Sequence, residues 1–260
     1  MILLSFDIEE FDMPFEYGKE ISFNDQMEIS IEGTNFILDI LEKHKIKATF
    51  FSTVTFALNA PKVMERIVNG GHEIASHSYY HSNFKVEHLL SSKLKLEELT
   101  GLPITGYRMP RMQPVDEKEI FKAGYIYNSS INPTYLPGRY NNFNISRTFF
   151  KQDGVWQIPA SVTPIFRFPL FWLSFHNLPL PIYKFLSKWT LKKDNYLNIY
   201  FHPWEFTDLN QPERFNFPGY VSKNSGSKMS FRMNNFIEWS LKNNFKFGTF
   251  ADLIFKNKLN

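Results

Sequence analysis

At 260 residues, with 43% hydrophobic and 21% charged side chains, the chain can bury one substantial core and is too apolar for intrinsic disorder. Its net charge of +3 is spread along the sequence and not gathered into a basic block, which argues against nucleic acid as a partner. Cysteine is absent, so disulfides are excluded and any metal must be held by histidine and carboxylate.

The apolar run at 2–6 reads as a strand, and Asp7, Glu9, Glu10 and Asp12 follow it at once. That leaves no room there for the basic and apolar parts of a signal peptide, so a cytoplasmic location is expected. A helical pattern over 31–44 has Ser30 before it as a cap. A strand at 47–51 precedes a helix at 63–69, with Pro61 in its first turn and Gly70–Gly71 as its stop. A strand at 73–75, a helix at 86–99 ending at Gly101, a strand at 105–107 and a helix starting near Val115 follow. Further strands are expected at 155–158 and 197–201. The stretch 166–191 is the most hydrophobic, but Arg167, His176, Lys184, Lys188 and several prolines break it. It fails as a membrane span, while contact with the inner membrane surface stays open. Segment 210–230, rich in Asn, Gly and Ser, reads as a long surface loop. The 28 phenylalanines fit a Phe-rich core first and an aromatic substrate groove second.

Alternation of strands and helices implies a mainly parallel sheet covered by helices, closed or open, in a single domain over 1–260. The reactive side chains all follow strand ends: Asp7 and Glu9 after 2–6, His77 and His81 after 73–75, Arg108 after 105–107, and His202 after 197–201. In parallel α/β architectures these ends share the face where substrates bind. Asp7 and Glu9, two apart, would point to one side of an extended chain and Ile8 to the other. An acidic surface loop is the plain alternative. His77 and His81 are four apart and can reach one metal, or be two solvated loop histidines. Pro110 disfavours helix for Met109, so Arg108 continues extended and can orient a carboxylate. His202 reads as an acid or as a satisfied core histidine. One carboxylate with two imidazoles leaves coordination positions open, as hydrolytic sites require.

Five short segments in order resemble the polysaccharide deacetylase, or NodB-homology, family: Ser5-Phe6-Asp7-Ile8-Glu9, His77-Ser78-Tyr79-Tyr80-His81, Arg108-Met109-Pro110, Gly154-Val155-Trp156-Gln157-Ile158-Pro159, and Ile199-Tyr200-Phe201-His202-Pro203-Trp204-Glu205. The similarity lies with intracellular relatives acting in glycan and envelope biosynthesis. It implies a distorted (β/α) barrel of about seven parallel strands and an activity that removes N-acetyl or other N-acyl groups from amino sugars, on a glycan that can be lipid-linked. Asp7 then corresponds to the catalytic base, Arg108 to the residue holding it, the Arg111 amide to the oxyanion donor and His202 to the acid. A divalent metal, zinc first, is implied at His77 and His81. Ile8 stands where most members have the ligand Asp, so Glu9 is the candidate ligand, with Asp7 the alternative. Tyr79, Trp156, Trp204 and Asp153 are implied substrate contacts. A deformylase, a small-amide hydrolase on the same site, and an inactive carbohydrate-binding barrel are the other readings.

Overall fold

The computed structural model describes residues 1–138 and 140–256. In chain order, β1 (Ile2–Ile8) leads to α1 (Phe23–His44), β2 (Thr49–Ser52), α2 (Val54–Asn59), α3 (Pro61–Asn69), β3 (Glu73–Ser76), α4 (Glu87–Thr100), β4 (Gly106–Tyr107), α5 (Glu117–Lys122) and β5 (Tyr127–Asn128). Two hairpins follow, β6 (Tyr135–Leu136) with β7 (Tyr140–Asn141), and β8 (Phe150–Gln152) with β9 (Val155–Gln157). The chain then forms α6 (Trp172–Asn177), α7 (Leu180–Asp194), β10 (Leu197–Phe201), α8 (Pro212–Phe215), α9 (Gly219–Ser222), α10 (Ser227–Lys242), β11 (Phe247–Gly248) and α11 (Phe250–Lys256).

One sheet runs in the order β10-β1-β2-β3-β4-β5-β9-β8, with β11 also paired to β1. All its pairings are parallel except the β8–β9 hairpin. The alternation reading is therefore sound in kind; among the described residues the sheet has nine strands, eight of them parallel, beside the expected seven or so. β11 pairs with Ile2 and Leu3, the part of β1 that lies before β2 begins its own pairing at Ser5. The sheet is curled into a half-barrel, and its two ends meet without a regular ladder. Ser161 N donates to Asn198 O (2.9 Å), and the Asn198 side chain donates to the carbonyls of Ile158 and Pro159 on the chain leaving β9.

Both faces of β1 are covered, so all seven of its residues are buried, the expected state of a strand that reads as a nearly unbroken apolar run. Ile2, Leu4, Phe6 and Ile8 pack on the helical layer. Leu3 belongs instead to the interior of the curl with Phe51, Ala75, Tyr127 and Phe250, where α11 closes the lower end with Leu253 and Ile254.

Two sequence expectations need correction. Helix α1 begins at Phe23, capped by Ser22, whose hydroxyl accepts from Asp25 N (3.1 Å). Ser30 is therefore not a cap but a buried mid-helix residue, its hydroxyl donating to Glu9 O (2.6 Å). Polar residues on the first turns of α1 hid its start. Segment 210–230 is not a plain loop: it forms α8, α9 and the start of α10, and buries Phe215 and Val221 against Phe11 and Trp204. The expected stops hold, with Gly71 and Gly101 in left-handed conformation at φ 66° and 68°. No helix among the described residues is long and apolar enough to cross a membrane.

Gly33 lets α1 lie against the turn that carries His202: a Cβ there would sit 2.0 Å from Pro203 O. Gly33→Ala is expected to destabilise the fold by about 1–3 kcal/mol, the usual cost of overpacking, because the obstacle is backbone. Urea denaturation monitored by circular dichroism checks this, and an unchanged midpoint would refute the close approach.

Candidate active site

The carboxyl ends of β1, β3, β4 and β10 open into one cleft of about 390 Å³ whose walls include Asp7, Glu9, His77, His81, Arg111 and His202. Two apart on β1 and its extension, Asp7 and Glu9 both face this cleft and are buried, while Ile8 between them packs in the helical core.

Arg108 stands at the base of the site and is completely buried. Its guanidinium donates to Asp7 Oδ1 (2.6 Å), Ser5 Oγ (3.0 Å), and both the carbonyl and hydroxyl oxygens of Ser129 (3.0 Å each). The face of the cation lies 3.9 Å above the Phe51 ring. Burial by itself would raise the Asp7 carboxyl. The Arg108 charge, with His77 and His202 nearby, overcomes that and holds it below the ordinary carboxylate value, so Asp7 is an ionised acceptor at neutral pH.

The two histidines of the second cluster are brought together by a tight turn after β3. Ser78 adopts a left-handed backbone (φ 70°), its carbonyl accepts from Val54 N, and the Tyr79 carbonyl accepts from Thr55 N. The rings of His77 and His81 stack 5.9 Å apart. His77 Nδ1 donates to Arg108 O (2.9 Å), and His81 Nδ1 donates to Asp12 Oδ1 (2.8 Å). In each neutral ring the remaining nitrogen, Nε2, then carries a lone pair, and both point at Glu9 Oε2, at 2.9 and 3.1 Å. That carboxylate oxygen is buried and receives no hydrogen bond. Three acceptors thus converge where a donor is missing, and their ligand atoms all lie within 4.8 Å of one another. A proton or a cation satisfies such a constellation, and the donor set of two imidazoles and one carboxylate suits a divalent metal. The electrostatics agree. Burial, with the charges of Asp7 and Asp12, pushes Glu9 up to about 7 despite His81 and His202, and burial, with Arg108 and His202, takes His77 down to about 4.

His202 faces Asp7 across the cleft, with Nε2 4.0 Å from Asp7 Oδ2. Glu205, wholly buried, accepts from the His202 backbone N (2.6 Å) and from Nδ1 (3.0 Å), and its other oxygen accepts from His176 Nε2 (2.9 Å). Trp204 stacks on the His202 ring at 4.8 Å and Trp172 meets it edge-on at 5.7 Å. Burial lowers the His202 value, but the Glu205 hydrogen bond and the charges of Glu9, Glu205 and Asp7 outweigh it, so the net shift is upward. The upward shift favours the protonated ring, the form that can donate.

The sequence-derived candidates divide. Asp7, Glu9, His77, His81, Arg108 and His202 are brought together, and Arg111 and Trp204 stand on the cleft wall. The Arg111 side chain is bound to Asp12 and Glu16 and its backbone is left-handed (φ 56°). Three implied substrate contacts are displaced. Asp153 is exposed in the β8–β9 turn, at the start of β9 and so at the opposite end of the sheet from the site. Trp156 packs with Phe149 at the lower end of the curl, and Tyr79 is half-buried against Tyr80 and His88. What the sequence reading missed are the partners: Asp12 behind His81, and Glu205 and Trp172 around His202. The spacing His202-x-x-Glu205 was a local signal for one of them; Asp12 and Trp172 had none.

Comparisons with known proteins bear on this curled, parallel α/β fold and on its site of two imidazoles, a carboxylate, an Arg-held Asp and a facing His. A family model described as polysaccharide deacetylase matches residues 20–119, which include His77, His81, Arg108 and Arg111 but not Asp7, Glu9 or His202. A peptidoglycan-N-acetylglucosamine deacetylase of Bacillus cereus is 37% identical over 87 residues, 32% of this chain and 31% of that protein. The peptidoglycan-N-acetylmuramic acid deacetylase PdaA of Bacillus subtilis is 40% identical over 99 residues, 34% of this chain and 38% of that protein. The chain thus spans about a third of the length of the curated relatives it matches. A solved structure from Mycobacterium smegmatis assigned to the polysaccharide deacetylases superposes with a TM-score of 0.65 at 18% identity, covering 97% of this chain and 87% of that one. The sequence similarity to polysaccharide deacetylases thus covers part of the chain, and the likeness in fold covers nearly all of it.

The raised His202 value has a sign that can be checked. Its contribution to stability is fully present below the unfolded value of about 6.5 and is lost as pH rises through the higher folded value. Glu205→Gln is expected to return the His202 titration downward in an NMR experiment on the metal-free protein, and to reduce stability more at acidic than at alkaline pH. A His202 titration unmoved by the substitution would show that Glu205 does not set its charge.

Proposed function

We propose that the chain is a metal-dependent amide hydrolase, a single catalytic domain that removes N-acetyl or other N-acyl groups from amino sugars of a glycan, including lipid-linked ones. The observation that carries this reading is the convergence of three lone pairs from Glu9, His77 and His81 beside an ionised Asp7 and a facing His202. Glu9, His77 and His81 would hold a divalent metal, zinc by donor type, which supplies Lewis acidity at the acyl carbonyl. The position of the Glu9 carboxylate beside both imidazoles, with Ile8 turned into the core and Asp7 bound to Arg108, supports Glu9 as the ligand in this reading.

In the proposed reaction, a water oxygen attacks the acyl carbon as Asp7 accepts its proton. Arg108 keeps Asp7 ionised and aimed. The Arg111 amide donates to the developing oxyanion. The carbon–nitrogen bond then breaks as His202 protonates the departing amine, with Glu205 holding the ring by Nδ1. The half-buried indole of Trp172, on the cleft wall beside the acid, offers an apolar surface to a sugar ring, and the buried Trp204 backs the His202 ring. The wide cleft admits a glycan, whereas the fold alone does not choose a substrate: an allantoinase superposes with a TM-score of 0.64 at 16% identity, covering 96% of this chain and 87% of that one.

Metal content by mass spectrometry and acetate release from N-acetylated oligosaccharides test the proposal together. Wild type should carry near-stoichiometric metal and release acetate, and Glu9→Ala should lose both. His202→Ala should keep the metal and lose about 10²–10⁴-fold in turnover, the usual contribution of a general acid. Metal retained by Glu9→Ala would overturn the ligand assignment, and wild type without acetate release would overturn the activity. Asp12 orients His81 from behind, so Asp12→Asn is expected to weaken metal binding about 10–100-fold, read by competition with a chelator.

A further inference from the structure

Helix α7 carries apolar side chains on its outward side as well as on the side that packs on the core. Its inward side buries Tyr183, Ser187, Thr190 and Leu191, so three hydroxyl side chains lie in the interior. Its outward side carries Ile182, 49% exposed, and Phe185, 68% exposed. Ile182, Phe185 and Trp189 are spaced by three and four residues and so share one helical face. Phe185 and Trp189 line a shallow groove with Lys188 and Lys192.

The charge on this helix is one-sided. Its basic residues are Lys184, Lys188, Lys192 and Lys193, and its single acid, Asp194, is buried and paired with Arg147. From the neighbouring helix α10, Trp239 lies under Lys184 and Glu238 is the one acid that acts on it, while Asn243 beyond α10 meets Lys188. Glu238 is itself shared with Lys43. The groove therefore offers apolar tips set among cations whose anionic partners are not supplied by α7.

Just before α6, Ile165 and Phe166 are also exposed, at 68% and 77%. Their loop is held in place: Arg167 donates to Pro133 O (3.1 Å) and Ile145 O (2.7 Å), and Thr134 donates to Arg167 O (2.7 Å). These contacts tie it to the β6–β7 hairpin, whose Leu136 and Tyr140 line the catalytic cleft.

An amphipathic surface of this kind matches one class of partner. In a bilayer interface, aliphatic and aromatic tips enter the acyl boundary while lysines meet anionic headgroups. A second copy of the chain meeting the same face across a two-fold axis would set lysine against lysine. We propose that the outward face of α7, with Ile182, Phe185 and Trp189 flanked by Lys184, Lys188, Lys192 and Lys193, docks the protein on an anionic lipid surface. This inference does not depend on the hydrolase reading; it concerns where the molecule sits, whatever reaction the cleft performs.

Co-sedimentation of the full chain with vesicles tests it, comparing phosphatidylcholine alone with phosphatidylcholine containing about one-third phosphatidylglycerol. Binding is expected to the anionic vesicles, to fall by at least about tenfold in Phe185→Asp and in the double variant Lys188→Glu, Lys192→Glu, and to be released at about 1 M salt, where the Debye length shrinks to about 3 Å. All three positions lie on the surface of α7, and thermal melts matching wild type confirm that the variants fold. Absence of binding to either vesicle, or equal binding by wild type and both variants, would overturn the proposal. So would a lipid-free dimer, seen by analytical ultracentrifugation, that Phe185→Asp dissolves, since that would give the face to a second copy. Acetate release from soluble oligosaccharides without vesicles reads the hydrolase proposal separately.

Discussion

A guanidinium buried without any exposed surface organises this protein. Arg108 is removed from water at the centre of the curled sheet, and a lone buried cation there would cost several kilocalories per mole. Its partners offset that cost: the Asp7 carboxylate, the hydroxyls of Ser5 and Ser129, the Ser129 carbonyl and the face of Phe51. These groups come from β1, β2 and the chain after β5, and Arg108 itself follows β4, so the same contacts that neutralise the cation also fix the strands that carry the site. The Arg108 carbonyl extends this role by accepting from His77 Nδ1, which sets that ring's tautomer and aims Nε2 inward.

The remainder of the site depends on where each ring puts its proton. His81 donates outward to Asp12, itself held by Ser82 and Arg111, and His202 donates outward to Glu205. His77 and His81 therefore present acceptors to Glu9. His202, under the field of three carboxylates, presents a proton to the cleft. One residue type is thus presented in two states because the groups behind the rings differ. In the proposed reaction, charge on His77 and His81 would oppose the metal and loss of charge on His202 would remove the acid, so the partners behind the rings serve the proposed chemistry.

Much of this was legible in the chain itself. Strand ends followed immediately by Asp7, His77, Arg108 and His202 indicated convergence, because parallel strands must share a carboxyl face, and the two-residue spacing of Asp7 and Glu9 placed both on one side. Other features were not legible for identifiable reasons. Ser30 looked like a cap because a cap is recognised by residue type next to an apolar run, whereas its hydroxyl binds Glu9 O from another element. The polar segment 210–230 looked like a loop because its few apolar residues, Phe215 and Val221, have no local periodicity; they are buried by Phe11 and Trp204, which are distant in sequence. Trp156 and Asp153 were drawn into the site by their place in a motif, but the β8–β9 hairpin directs one to the lower core and the other to solvent.

The sequence by itself determined the strand and helix alternation, the exclusion of disulfides, and the set of acids, bases and candidate ligands, since these follow from residue types and short-range periodicity. Only the tertiary structure decided that Glu9 faces the imidazoles while Asp7 belongs to Arg108, that Asp12 stands behind His81, and that α7 turns its apolar tips outward. Each of these is set by which surfaces the curled sheet brings within hydrogen-bonding range across tens of residues or more, and local sequence carries no information about distances of that kind.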